Sequence, residues 1–76
     1  MAPRLPPIKW QDLAKFFEHH GFIRDRIKGS HLCMVRPKTL RPVVIPMHSH
    51  VSDLVISSNL RTAGLTRADL EVWLKS

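Results

Sequence analysis

Apolar residues recur at helical spacing from Trp10 onward. Trp10, Leu13 and Phe17 form one stripe, with Ala14 and Phe16 beside it, while Gln11, Lys15 and Glu18 turn away. The pattern predicts a helix over 10–20, ended by Gly21, although no Ser, Thr, Asp or Asn marks its start. The period then changes to two. Phe22, Arg24, Arg26 and Lys28 share one predicted strand face, and Ile23, Asp25 and Ile27 the other. Gly29-Ser30 marks a tight turn. Leu32, Cys33, Met34 and Val35 follow as a run apolar enough for a central strand, and Pro37 to Leu40 form a loop. Val43, Val44 and Ile45, bracketed by Pro42 and Pro46, make a third strand that the prolines place at an edge. Phe22 to Met47 is therefore a predicted antiparallel three-stranded meander. Ser52 or Asp53 caps a second helix, with Val51 and Ile56 at staple positions, Ile56, Leu60 and Ala63 as its buried stripe, and Gly64 at its end. Thr66 with Asp69 opens a third, whose apolar side is Leu70, Trp73 and Leu74. The expected class is α+β, in the order α-β-β-β-α(α), with helices packed on one face of the sheet and the other face wet.

Seventy-six residues make one domain with a two-layer core and a thin margin of stability. We expect that domain to be 8–76, preceded by a mobile arm over 1–7, where Pro3, Pro6 and Pro7 lie and no signal-peptide apolar region is found. No apolar run approaches the ~20 residues of a membrane span. The one cysteine, Cys33, allows no internal disulfide, which suits a reducing, cytoplasmic location. Net charge is +6. Its distribution matters more than its size. Arg26 to Ser52 contains no Asp or Glu, yet holds Arg26, Lys28, Arg36, Lys38 and Arg41. Such a stretch favours a polyanion, nucleic acid first, and attracts an acidic protein equally well.

Within that stretch lies Lys28-Gly29-Ser30-His31. An imidazole exchanges protons near neutral pH, and a titratable ring in a cationic surround is what chemistry on a polyanion needs. His31 is the candidate base, and Arg26, Lys28 and nearby backbone N–H groups the candidate charge stabilisers. Gly29 lets a phosphate approach the backbone, and Ser30 can orient the ring or bond a phosphate oxygen. Arg24, Arg36, Lys38, Arg41 and His48 complete the candidate RNA-binding set; His48 is also a candidate proton donor. A rival use is metal binding, since His31-x-Cys33 and His48-x-His50 each put two ligands on one strand face, but the spacing matches no zinc finger and no metal or other cofactor is expected. Trp10, Phe16, Phe17 and Trp73 fall at core spacing, His19-His20 at a helix's wet end, and Cys33 where a buried apolar filler belongs.

Taken in order, a helix ending in Gly21-Phe22, then Arg26, Lys28-Gly29-Ser30-His31, Val44-Ile45-Pro46-Met47-His48, and Leu60 to Leu65 as Leu-Arg-x-Ala-Gly-Leu resemble the HicA toxins of HicAB toxin–antitoxin systems. The resemblance runs from about Ile8 to Leu74. It implies a fold like the double-stranded-RNA-binding domain, an endoribonuclease (mRNA interferase) acting on messenger RNA, and inhibition by a HicB antitoxin. It places the family's catalytic histidine on His31 and a further histidine on His48. Many members carry a second histidine directly after the first, where this chain has Leu32, and a Gly-Thr pair at the second helix, where it has Val55-Ile56-Ser57-Ser58.

Two other functions fit the basic composition: a non-catalytic RNA-binding module of the same fold, and a DNA-binding accessory domain. Against the first, a double-stranded-RNA module normally keeps its cations at the start of its last helix. Here Asp53 and Ser57-Ser58 stand there, and the cations lie on the strands.

Overall fold

The chain's elements are α1 (Trp10–His19), β1 (Ile23–Lys28), β2 (His31–Val35), β3 (Val43–Pro46), α2 (Asp53–Ala63) and α3 (Arg67–Lys75), seen in a computed structural model that describes residues 8–76. The expected arm, 1–7, lies outside the described residues. The strands form one antiparallel sheet in the order β1-β2-β3, with β2 central. Leu32 and Met34 of β2 and Val43 and Ile45 of β3 turn to one face and pack with Leu13, Phe16 and Phe17 of α1, Ile56 and Leu60 of α2 and Leu70 of α3. This is the layout of the double-stranded-RNA-binding domain, and the second and third helices are separate. Among the described residues no helix is long and apolar enough to cross a membrane.

The helix ends are set as their residues require. Ser52 caps α2, its Oγ accepting from Val55 N at 3.4 Å. At α3, Thr66 Oγ1 accepts from Asp69 N at 3.1 Å while Asp69 Oδ2 accepts from Thr66 N at 2.8 Å, a complete capping box. The start of α1 has no side-chain cap; instead Trp10 N donates to the His48 carbonyl at 3.3 Å, a long-range partner invisible in the local sequence.

The first strand departs from strict alternation. Arg24 pairs with Met34 but Arg26 with Cys33, so Asp25 is an extra residue in a β-bulge. The bulge reverses the face of everything before it. Arg26 and Lys28 share the open face with Cys33 and His31, whereas Arg24 turns to the helix side. There its Nε lies 3.4 Å from Glu18 Oε2 and its guanidinium 6.0 Å from the Trp10 ring centre. The expected single row of Phe22, Arg24, Arg26 and Lys28 is thus broken after Arg24.

The third strand is the last of the sheet, yet its outer edge is covered. Asn59 of α2, itself buried, donates from Nδ2 to the Val44 carbonyl at 2.9 Å, and its Oδ1 accepts from Val44 N at 3.3 Å. One amide side chain therefore takes the place of a fourth strand at that residue.

Candidate active site on the open face of the sheet

His31 is the first residue of the central strand and is exposed. Its cross-strand neighbours are Lys28 on β1 and Pro46 on β3. The link between Lys28 and His31 is a two-residue turn with Gly29 at φ +60°, where a side chain is strained by the backbone alone. A Cβ at Gly29 would meet nothing within 4 Å, so the space over the turn is open to a ligand. The turn is tied down on its other side, where the Ser30 carbonyl accepts from Met47 N at 2.8 Å. Arg26 stands two residues from Lys28 on the same face. Its Nε donates to Asp25 Oδ2 at 2.9 Å, and that bond and charge keep the guanidinium even further from deprotonation than usual.

His48 follows Pro46 by two residues and so lies at the His31 end of the sheet, its side chain exposed. Lys38 and Arg41 do not. They belong to the β2–β3 loop beyond the opposite end of β2, which lies about 13 Å from His31 by strand rise. Lys38 sits there at φ +71°, uncommon for a residue with a side chain. Arg36 is joinery rather than a free cation. It donates from Nη2 to the Ala63 carbonyl at 2.7 Å, from Nη1 to the His20 carbonyl at 3.1 Å and from Nε to Thr39 Oγ1 at 2.9 Å. Its guanidinium also lies 4.4 Å from the Phe22 ring centre. Of the residues expected to bind or cleave RNA, Arg26, Lys28, Gly29, Ser30 and His31 gather at one end of the open face, with His48 just past the same end of β3; Arg24, Arg36, Lys38 and Arg41 stand elsewhere.

Cys33 is half-exposed on the open face beside Arg26, not the buried filler expected. Leu32, by contrast, is buried, so the position after His31 points into the core and a histidine there would have to enter it. Among the described residues no three His, Cys, Asp or Glu side chains gather as metal ligands.

A groove of about 450 Å³, unmarked by any local pattern of residues, opens beside His31 on the β3 side. His31, Val44 and Pro46 line it from the sheet, and Leu54, Ser58 and Thr62 from α2. The helical residues fall at i, i+4 and i+8, a polar-tipped stripe that only the docking of α2 beside β3 turns toward His31.

Known proteins resemble this chain both in structure and in sequence. No curated protein matches it. A chain of a toxin–antitoxin complex from Streptococcus pneumoniae is similar in structure, with a TM-score of 0.66 and 28% identity over 78% of this chain and 100% of that one. A family model described as the HicA toxin of bacterial toxin–antitoxin systems matches residues 10–65, and the chain belongs to that toxin family.

Proposed function

We propose that this toxin is an endoribonuclease that cleaves messenger RNA in the cytoplasm with His31 as general base, without a metal, and that a HicB-type antitoxin inhibits it by covering the same face. The observation that carries this is the placement of an exposed imidazole at the mouth of an open glycine turn, with Lys28 across the strand pair and Arg26 on the same face.

The chemistry follows from those groups. His31 takes the proton of a 2′-hydroxyl. The 2′-oxygen attacks the adjacent phosphorus, forming a new P–O bond, and the P–O5′ bond breaks. The departing 5′-oxygen takes up a proton from water or from His48, leaving a 2′,3′-cyclic phosphate and a 5′-hydroxyl. Lys28 and Arg26 stabilise the charge that builds on the phosphoryl oxygens, and the bare Gly29 backbone admits the phosphate. Arg24, held on the helix side by Glu18, has no part in this step.

An antitoxin that presents Asp and Glu side chains to Arg26 and Lys28 would mimic phosphate and shield His31. The similarity to a chain of a solved toxin–antitoxin complex supports an antitoxin partner.

The test is single-stranded RNA incubated with the purified protein in EDTA. Cleavage to products ending in cyclic phosphate is the expected result; a gel shift without cleavage favours the RNA-binding module instead.

A further inference from the structure

Two features at the far end of the groove have no part in the cleavage step. The first is a second hollow of about 370 Å³ formed by the β2–β3 loop and the end of α2, with Lys38, Arg41 and Arg61 at its walls. The second is its continuity with the groove beside His31. Thr62 lines both, and Pro42 of the groove is the chain neighbour of Arg41. From Pro46, opposite His31, to Pro42 the groove follows β3 for about 13 Å.

Charge is divided along this path. Lys28 and Arg26 stand at the His31 end, and Lys38, Arg41 and Arg61 at the other. Among the described residues, no Lys, Arg, Asp or Glu lines the groove between them. Its walls are apolar, with Val44 37% and Leu54 84% exposed, and carry the hydroxyls of Ser58 and Thr62. An exposed leucine beside hydroxyls suits the flat face and polar edge of a nucleobase. Cationic ends suit the phosphates on either side.

Resting on the ribonuclease assignment, we propose that the β3–α2 groove is a track for single-stranded RNA leading away from the scissile phosphate, and that Arg41 and Arg61 hold a phosphate at its far end. At about 3.4 Å per stacked nucleotide, the groove takes about four nucleotides, or fewer if the bases are unstacked. Bases rest against Val44 and Leu54, where Ser58 and Thr62 bond their edges. The substrate is therefore single-stranded on this side of the cut, because a duplex partner would occupy the base edges that the hydroxyls reach.

The experiment measures RNA binding, so it stands apart from cleavage. Affinity for a long single-stranded RNA and for a dinucleotide is followed across salt concentrations for the wild type, for the Arg41→Ala/Arg61→Ala variant and for Leu54→Glu. All three positions are exposed, and circular dichroism checks folding. The double variant should bind the long RNA more weakly, with the log–log salt slope reduced by about 0.7 for each phosphate no longer neutralised, while dinucleotide binding stays unchanged. Leu54→Glu should weaken binding of the long RNA by placing a carboxylate in the track. Unchanged long-RNA affinity and slope in folded variants overturns the track. So does a loss confined to antitoxin binding, which would make this a protein-docking surface. Should the wild type bind long RNA through Arg41 and Arg61 yet cut nothing, the track stands and the ribonuclease assignment falls.

Discussion

Arg36 donates to two carbonyls and a hydroxyl from three different segments, so its removal is read in stability before anything else. Hydrogen bonds from a charged donor contribute about 1.5–3 kcal/mol net, and the partners left behind are part-buried. Arg36→Ala should cost about 2–3 kcal/mol by urea unfolding. Arg36→Lys should recover little, because an ammonium cannot span the fork. The salt dependence of RNA binding should not change in either variant. Composition alone groups Arg36 with Arg26 and Lys28; nothing local distinguishes a guanidinium that clamps α1 and α2 from one that waits for phosphate. Arg24 was hidden by a different cause. One extra residue, Asp25, inverts the alternation, and a period-two pattern contains no mark of a bulge when both faces of the strand are exposed. The Lys28-Gly29-Ser30-His31 corner was legible because a glycine between two strand-like runs has few other uses.

Among the elements, those with local rules were readable and those with distant partners were not. The capping box of α3 and the Ser52 cap of α2 follow from residues three apart. The order of strands follows from short connections. The Trp10–His48 bond, the cover Asn59 gives to β3 and the groove against α2 all depend on how α1 and α2 dock, which no local window contains. Two tests belong here. Asn59→Ala strips the Val44 N–H and C=O of their partners and should destabilise by about 1–3 kcal/mol, measured by denaturant unfolding. The second concerns Asp69, whose carboxyl is held below its ordinary pKa by bonds from the Thr66 backbone and hydroxyl. A lowered folded-state value gives stability that is fully present above the unfolded carboxylate range and is lost as pH falls through the folded value. Asp69→Asn should therefore lower stability near neutrality and flatten the acid limb of the stability–pH profile below pH about 4, the two proteins converging in acid.

For the molecule as a whole, a net charge of +6 draws any polyanion, and only its arrangement separates substrate from bystander. Total stability of a domain this size is on the order of 5–10 kcal/mol, so a functional variant must be an exposed one to be interpretable. Lys28 and Arg26 meet that condition, and neutralising both should lower RNA affinity and the steepness of its salt dependence together. So does His31, whose exposed side chain lies outside the core, so that its replacement leaves the sheet intact. The most direct measurement compares the wild type with His31→Ala on single-stranded RNA, in EDTA, with folding verified by circular dichroism. A folded variant whose cleavage rate falls by about 10²–10⁴ is the predicted result; a folded variant that cleaves at the wild-type rate contradicts the account.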